Sequence, residues 1–415
     1  AMGKPYALGD SIAKAIPFGS QGFPMTIEHA LETTPELKKM YTEEMDAREV
    51  IDMAKRIEGC ARHISIHAAG VVISPIPLED IVPIQFDPKE SGKLITQYDM
   101  WSVEDAGLLK FDFLGIRNLA ILADAVGLVK KFRDINIDID RIPLDDEKTF
   151  AMLSRGETVG LFQLNGTGMT RFLKELRPSS IHDINAMVAL YRPGPMEVIP
   201  EYIQRKNDPS RVTYPDPRMA KYLQESYGLI VYQDDLLFSA IELAGYSWLE
   251  ADKFRKAVGK KIPAEMAAQK EKLIEGIVKN GQTKAFAEKL WTLFEPFQSY
   301  GFNKAHAASY GRVAYQTAYM KANYPGEYMT AILTAESGDI DTVAEMVTEC
   351  KRMGIPILPP DINESFRDFT LVKSDAGDRI RFGLGSIKNF GEGIAQAIID
   401  ERERSGKFKS LGDFL

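Results

Sequence analysis

The spacing of apolar residues along the chain predicts an N-terminal helical region followed by a region rich in strands. Up to about residue 62, apolar positions recur at helical spacing, with a proline start at Pro35 and an amphipathic stretch over residues 43–57. From Ile64 the pattern changes to short β-branched and apolar runs. We expect several strands of one sheet there, at residues 71–73, 94–98 and 108–113.

The remainder of the chain is predicted to be mainly helical. Helical periodicity continues from Gly115 to about Glu364, with proline-containing breaks at residues 192–195, 208–209, 214–217 and 324–326. Strand patterns return at 369–372 and 380–384, before a glycine-bearing turn and a helix. The pattern predicts a multidomain α+β fold. The first element lacks a core of its own and residues 412–415 begin a helix, so we expect a piece of a longer protein.

Composition places the chain among globular proteins. With 415 residues, 45% of them hydrophobic and 27% charged, it is long enough to bury sizeable cores in several domains. Apolar runs stay well below the roughly 18 residues that span a bilayer, and the N-terminus lacks the pattern of a secretory signal, so we expect a cytoplasmic protein and no membrane partner. Cys60 and Cys350 have no Cys-x-x-Cys partner. They are therefore expected to be buried small hydrophobes and not disulfide or zinc residues.

The distribution of charge bears on nucleic-acid binding. The net charge of -8 argues mildly against a protein that grips phosphates. A run of lysines and arginines between Lys253 and Lys289 is nevertheless a candidate basic surface. A solvated helix face explains such a run equally well.

Lys110 and Asp112 form the first candidate site. Both lie in a predicted strand, and their spacing of two residues places both side chains on the same face. A carboxylate can hold a divalent metal and a lysine can neutralise phosphate charge, which suits phosphoryl or nucleotidyl transfer. The alternative is an ordinary ion pair at a strand end.

Several long segments resemble those of one enzyme family. Residues 108–115 read Leu-Leu-Lys-Phe-Asp-Phe-Leu-Gly, residues 67–73 read His-Ala-Ala-Gly-Val-Val-Ile, and residues 300–306 read Tyr-Gly-Phe-Asn-Lys-Ala-His. They resemble the C-family replicative DNA polymerases of bacteria, the family of the DNA polymerase III alpha subunit. The resemblance also includes residues 160–164 and 187–196 and extends over nearly the whole chain.

The resemblance implies a domain order and a metal site. Residues 1–62 resemble most of a thumb, 63–118 the second half of a polymerase-beta-like nucleotidyltransferase palm, 119–375 the fingers, and 376–415 the start of a helix-hairpin-helix segment that binds duplex DNA. Asp112 matches one of three metal-binding carboxylates, which implies Mg²⁺, and Lys110 matches a lysine that faces the triphosphate. The other two aspartates form an Asp-x-Asp pair in the family, and none precedes residue 67 here. We therefore expect the chain alone to be inactive.

Nucleotide-binding candidates follow from the fingers segments. A rigid proline-rich turn after a helix would hold Arg192 for a phosphate contact, with a helix-end ion pair as the alternative. Arg255 and Lys256 precede a predicted helix stop at Gly259 and are candidates for triphosphate contacts. The next two cations, Lys260 and Lys261, are assigned to DNA binding.

The segment from Tyr300 to Tyr310 combines small residues with polar side chains at helical spacing. His306 and Tyr310 are four residues apart and would share a helix face, so that Tyr310 could stack beneath a base while His306, Lys304 or Asn303 donates to phosphate. A buried histidine and tyrosine in a helical core is the alternative. The resemblance favours the nucleotide-binding interpretation.

Two further features concern metal and DNA. His63 and His67 are four residues apart, but a third ligand is missing and a strand follows, so a histidine metal site is rejected. By resemblance His67 lies beside the active centre. Gly391 and Gly393, in a segment that resembles a helix-hairpin-helix hairpin, would let backbone N–H groups reach a DNA phosphate, although a short Gly-x-Gly is common in plain turns.

Together these features predict part of a DNA-directed DNA polymerase that adds dNTPs to a primer 3′ end by two-metal nucleotidyl transfer. Its expected partners are primer-template DNA and dNTPs. The longer protein is expected to bind a sliding clamp, a proofreading exonuclease and a clamp loader through regions mostly outside this chain. One alternative is a non-catalytic DNA-binding remnant of such a polymerase. A nuclease of another class would need clustered histidine and carboxylate ligands, which five scattered histidines do not supply.

Overall fold

The computed structural model describes residues 2–17, 25–60, 64, 66–67, 69–88, 92–192, 194–260, 263–294, 301–374 and 377–415. At positions 259, 260, 263, 264 and 392 the description is limited to the backbone. The chain divides into two compact units, Ala1–Gly115 (unit 1) and Ile116–Leu415 (unit 2). Each unit is described by itself.

The described part of unit 1 begins with four helices that pack on one another. Pro35 is the first residue of its helix, as predicted, and the amphipathic stretch forms the fourth helix. Buried Ile12, Leu37 and Ile51 belong to one small apolar cluster that these helices share. The expectation that the first element lacks a core is therefore wrong, because each short helix buries its apolar stripe against the others. The helices are α1 (Tyr6–Ala15), α2 (Ile27–Thr33), α3 (Pro35–Glu43) and α4 (Met45–Ile57).

Among the described residues, the strands of unit 1 form two small sheets and not one. β1 pairs antiparallel with β4, and β2 pairs antiparallel with β3 as a separate hairpin. The strand β2 was not among the predicted strands; it directly follows Pro83, and its three residues are too few to show an alternating pattern. Cys60 is exposed, contrary to expectation, because it follows the end of α4 and does not face a core, whereas Cys350 is buried as expected. The elements are β1 (Gly70–Ile73), β2 (Ile84–Phe86), β3 (Leu94–Thr96), α5 (Ser102–Asp105) and β4 (Leu109–Asp112).

Unit 2 is mainly helical, as predicted. The expected breaks separate helices, and Pro325 is the first residue of a helix, where its missing N–H costs nothing. The helices are α6 (Arg117–Arg133), α7 (Glu147–Arg155), α8 (Thr167–Leu176), α9 (Ile181–Leu190), α10 (Ile199–Asn207), α11 (Ala220–Leu223), α12 (Gln233–Ala244), α13 (Trp248–Lys260), α14 (Pro263–Lys279), α15 (Lys284–Phe294), α16 (Lys304–Asn323), α17 (Pro325–Ala335), α18 (Ile340–Arg352), α19 (Glu392–Ser405) and α20 (Leu411–Phe414).

Two large apolar clusters organise these helices. The larger one centres on α16, which packs against α6, α7, α9 and α17 and contributes buried Ala314, Tyr315 and Ala318. The second cluster lies among α12, α13, α14 and α15, with buried Phe254 and Trp291. Together they hold the start of α16 and the length of α13, the elements that carry the candidate cations, on packed scaffolds.

A three-stranded sheet lies near the end of unit 2. Its strands are β5 (Ile357–Leu358), β6 (Thr370–Val372) and β7 (Arg379–Arg381), in the order β5-β7-β6. The last two are the predicted strands. The parallel strand β5 was not predicted, because two residues are too few to show an alternating pattern. Within the described part of the chain, no helix is long and apolar enough to cross a membrane.

Candidate functional site

Lys110 and Asp112 meet on β4, as their spacing predicts. The Lys110 ammonium donates to both Asp112 carboxylate oxygens, at 2.8 and 2.9 Å. The Lys110 side chain is 13% exposed and that of Asp112 is 44% exposed. The hydrogen bond from Lys110 lowers the pKa of Asp112, so the carboxylate is ionised and open to solvent at neutral pH.

His67 lies next to this pair. Its Nδ1 is 3.8 Å from an Asp112 oxygen, and it accepts from the backbone N–H of Gly70 at 2.7 Å and of Ala69 at 3.2 Å. Because Nδ1 acts as an acceptor, it does not donate to Asp112. A side chain at position 70 would collide with the imidazole, since an added Cβ would lie 2.9 Å from Nδ1. His63 lies outside the described residues.

Whether Asp112 can bind a metal ion depends on the oxygen and nitrogen atoms available around it. Magnesium prefers oxygen ligands, and the ionised, exposed carboxylate of Asp112 fits as one of them. Among the described residues, no group of three or more His, Cys, Asp or Glu side chains is arranged to hold a metal ion. The described part of the chain therefore offers one carboxylate and a neighbouring lysine.

In unit 2, Arg192 follows the end of α9 and stacks on an aromatic ring. Its guanidinium carbon lies 3.8 Å from the ring centre of Phe302. Partial burial lowers the pKa of Arg192. No salt bridge from Arg192 to a carboxylate is found among the described residues, so the helix-end ion pair is not what holds it. Pro193 lies outside the described residues.

The ring under Arg192 begins an aromatic series along the start of α16. The ring of His306 is 5.1 Å from Phe302 and 4.3 Å from Tyr310, and Tyr310 is 5.3 Å from Phe162. His306 and Tyr310 share a helix face as predicted. His306 is exposed, so the alternative of a histidine buried in the core is wrong. The spacing of Phe302, His306 and Tyr310, four residues each time, was a signal from which Phe302 could have been found.

Asn303 and Lys304 have structural partners at the start of α16. The Asn303 side chain accepts from the His306 backbone N–H at 2.9 Å and so caps the helix. The Lys304 ammonium lies 2.8 Å from a Glu225 oxygen, and its backbone N–H donates to Asp234. Both residues therefore help to fix the N-terminal end of α16 through contacts within the protein.

Arg255 and Lys256 lie on the outer face of α13 and share one carboxylate. Arg255 donates to one Asp252 oxygen from Nε at 3.1 Å and from Nη2 at 2.8 Å, and Lys256 reaches the other oxygen at 2.8 Å. The predicted helix stop at Gly259 is wrong, because α13 continues through it to Lys260. The Lys260 side chain and all of Lys261 lie outside the described residues.

Gln233 connects α13 to the aromatic series and was missed by the sequence patterns. Its side-chain oxygen accepts from Arg255 Nη1 at 3.3 Å, and its backbone N–H donates to the Phe302 carbonyl at 2.9 Å. A Cβ added to Gly301 would lie 2.5 Å from the Gln233 side chain, so glycine is needed for this close approach. Gln233 thereby links Arg255 to the segment that carries Phe302.

Gly391 and Gly393 stand at the start of α19. Gly391 precedes the helix in an extended conformation and, as a glycine, supplies no side-chain cap to the first turn. Neither glycine has a neighbour that an added Cβ would meet. The residue with positive φ is Asn389, at 63°. The site is thus an exposed helix N-terminus, which favours an anion, and the glycines are not required there by the backbone angles.

Sequence profiles of known families define the class of protein. Residues 1–115 match the bacterial DNA polymerase III alpha NTPase domain, residues 118–281 the bacterial DNA polymerase III alpha subunit finger domain, and residues 354–415 a helix-hairpin-helix motif. Lys110 and Asp112 lie in the first match, Arg192 and Arg255 in the second, and Gly391 in the third. The first two matches are to domains of the bacterial DNA polymerase III alpha subunit.

Individual relatives give the same result over the whole chain. The chain is 47% identical to the DNA polymerase III subunit alpha of Thermus aquaticus over 418 residues, covering 100% of this chain and 34% of that protein. With its counterpart from Deinococcus radiodurans the identity is 43%, over 100% of this chain and 31% of that protein. With that of Escherichia coli strain K12 it is 42%, over 99% and 36%. The chain belongs to the bacterial DNA polymerase III alpha-subunit family and spans about a third of the length of these relatives.

Proposed function

We propose that this chain is part of a DNA-directed DNA polymerase that adds dNTPs to a primer 3′ end. In this reaction the primer 3′ oxygen bonds to the α-phosphorus and the bond to the β-phosphate oxygen breaks, which releases pyrophosphate. The observation that carries the proposal is the series Arg192, Phe302, His306 and Tyr310. It places an arginine without a carboxylate partner on the buried ring of Phe302, next to exposed His306 and half-buried Tyr310, in the described part of unit 2. A nucleotide combines the two groups that such a surface binds, an anion and a flat base.

The domain assignment is part of the proposal. Residues 1–62 would be thumb, 63–118 the second half of the palm, 119–375 fingers, and 376–415 the start of the duplex-binding helix-hairpin-helix segment. The division of the chain after Gly115 and the three family profiles support this order.

Cationic groups of unit 2 are assigned to the substrate phosphates. Arg192, Arg255 and Lys256 would contact the triphosphate, with Lys304 contributing if it exchanges its Glu225 partner for phosphate. Tyr310 would stack on the base, and His306 and Asn303 would donate hydrogen bonds nearby. Lys260, Lys261 and the exposed N-terminus of α19 at Gly391 and Gly393 would contact DNA backbone phosphates without sequence preference.

In unit 1, Asp112 would hold a magnesium ion and Lys110 would neutralise phosphate charge. Bound magnesium lowers the barrier by neutralising charge on the reacting phosphate oxygens. Asp112 would exchange at least one of its contacts with the Lys110 ammonium for the ion. That exchange would leave the Lys110 ammonium able to bind a phosphate oxygen.

The partners and location proposed for the longer protein go beyond this chain. Primer-template DNA and dNTPs are the proposed ligands of the chain itself. Contacts with a sliding clamp, a proofreading exonuclease and a clamp loader are proposed for other regions, and the proposed location is the bacterial cytoplasm.

A binding experiment tests the proposal. Fluorescence anisotropy of labelled primer-template DNA would be measured across a salt series for the wild type and for Lys260→Ala combined with Lys261→Ala, and titration with a dNTP would compare the wild type with Arg192→Gln. We expect each lost phosphate contact to weaken binding and to reduce the slope of log affinity against log salt by about 1. Gly391→Val is expected to weaken binding by crowding the approach of a phosphate to the N-terminus of α19. Salt-independent binding, or variants equal to the wild type, would contradict the proposal.

The second candidate function is DNA binding without catalysis. The sequence before residue 67 carries no Asp-x-Asp pair, which favours this reading for the chain on its own. A primer-extension assay with the purified chain, magnesium and dNTPs separates the candidates, and we expect no extension. Extension that disappears in Asp112→Asn would instead show that the chain is catalytic.

A further inference from the structure

The structure places a carboxylate where a substrate phosphate would bind on α13. Asp252 accepts from the Nε and Nη2 edge of Arg255 through one oxygen and from Lys256 through the other. This edge of a guanidinium is also the one that binds a phosphate through two parallel hydrogen bonds. A phosphate that binds Arg255 in this way must therefore take the place of Asp252.

The remaining side of Arg255 is held by a neutral group. Its Nη1 donates to the side-chain oxygen of Gln233, whose backbone is fixed by Phe302. An amide holds the guanidinium in position without cancelling its charge. Arg255 thus has one uncharged contact that can stay and one charged contact that competes with an anion.

The surroundings of Asp252 allow it to release Arg255 and Lys256. Its side chain is 38% exposed, and the helix is anchored by other residues, among them fully buried Ala251 and Phe254. The ion pair between Lys321 and Glu349, also in unit 2, is by contrast buried: the Lys321 side chain is 0% exposed and that of Glu349 is 5% exposed. Exposed ion pairs contribute little to stability, so Asp252 can give up its partners at small cost.

We propose that Asp252 is an exchangeable counter-ion that holds Arg255 and Lys256 in a phosphate-binding arrangement and competes with the substrate triphosphate for them. The inference rests on the proposed nucleotide-binding role of Arg255 and Lys256. Asp252 is a positioning residue in this scheme. Its charge weakens anion binding at α13, while its geometry keeps the two cations together before substrate arrives.

The test is calorimetric titration of the 415-residue chain with inorganic tripolyphosphate, without metal and at low ionic strength. Asp252→Asn keeps an oxygen that can accept from Arg255 and removes the competing charge. We expect it to bind tripolyphosphate about threefold to tenfold more tightly than the wild type, because one exposed ion-pair network no longer has to be broken. Unchanged or weaker binding would overturn the proposal.

Asp134→Asn is the matched control. It removes one negative charge from the same unit. It also breaks an exposed ion pair, since an Asp134 carboxylate oxygen lies 2.7 Å from the Lys130 ammonium nitrogen. Asparagine tolerates the left-handed backbone of Asp134, where φ is 53°. We expect less than about a twofold change, because Asp134 pairs with Lys130 and not with Arg255 or Lys256. An equal gain in both variants would mean that net charge alone is responsible and would overturn the role of Asp252.

A double-mutant comparison separates this proposal from the proposed function. If Arg255→Gln weakens tripolyphosphate binding and Asp252→Asn has a smaller effect in that background than in the wild type, both proposals are supported. If Arg255→Gln weakens binding but Asp252→Asn gains nothing, only the competition by Asp252 fails. If Arg255→Gln and Lys256→Gln both bind as well as the wild type, the nucleotide-binding role of α13 fails and the competition fails with it.

Discussion

The two halves of α16 have different surroundings although they belong to one helix of 20 residues. In the first half, His306 and Ser309 are exposed, and the aromatic series lies along its surface. In the second half, Tyr315, Gln316 and Lys321 are buried. The difference shows how a site acquires rigidity. Packing holds one end of a stiff element, and the other end presents side chains to a ligand at a fixed position.

The largest effect is expected at Lys321, in the buried half. Its ammonium lies 2.6 Å from a Glu349 oxygen and donates to the carbonyls of Val159 and Glu157. Lys321→Ala leaves the two carbonyls without this donor and leaves Glu349 with Arg352 as its partner, and we expect a loss of about 3 kcal/mol in the free energy of unfolding. Urea unfolding followed by circular dichroism measures it. Lys351→Ala, on exposed α18 surface, should change stability by less than about 0.5 kcal/mol. Similar losses of stability in Lys321→Ala and Lys351→Ala would show that the buried half of α16 is not held by Lys321.

Gly311 marks the boundary between the two halves. A Cβ added there would lie 1.9 Å from the Asn185 side-chain oxygen on α9. We expect Gly311→Ala to cost about 1–3 kcal/mol of stability through overpacking. Gly127→Ala on α6, where an added Cβ meets nothing within 4 Å, is the matched control and should gain up to about 1 kcal/mol from helix propensity. A stabilised Gly311→Ala variant would show that α9 and α16 do not pack this closely.

A smaller effect on stability is expected at Asn303, the N-cap residue of α16. Asn303→Ala removes the acceptor for the His306 backbone N–H and should cost about 1 kcal/mol. Asn303→Asp keeps the acceptor and should retain most of the stability. If the alanine variant loses nucleotide affinity and the aspartate variant keeps it, Asn303 acts by fixing the helix end. If both variants lose affinity equally, the Asn303 amide itself contacts substrate.

His306 should have the smallest effect on stability and a clear effect on binding. Because its ring is exposed, His306→Ala is expected to change the free energy of unfolding by less than about 0.5 kcal/mol. Loss of the hydrogen bond that His306 would donate to the nucleotide should weaken nucleotide binding by about 1 kcal/mol, as measured by titration with a dNTP. Ser309→Ala, on the same exposed half, is the control and should leave both quantities unchanged. If His306→Ala unfolds the protein, His306 contributes to stability in the same way as the buried residues of the second half of α16.

Local periodicity was sufficient for much of the secondary structure and for pairs within one element. The two-residue spacing of Lys110 and Asp112 and the four-residue spacing of His306 and Tyr310 each predicted a contact that the structure contains. Helices and breaks in unit 2 followed from the 3.6-residue pattern and from proline. The number of sheets in unit 1 did not, because strand pairing depends on partners that periodicity does not name.

The sequence by itself determined the family, most of the helices and the residue types available for phosphate binding. Only the tertiary structure decided that Arg192 stacks on Phe302, with no carboxylate partner among the described residues, and that Gln233 joins Arg255 to the start of α16. These contacts join residues from separate helices and connecting segments that are far apart in the chain. The backbone geometry of one helix or strand fixes only nearby neighbours, whereas contacts between elements depend on how their apolar faces pack together.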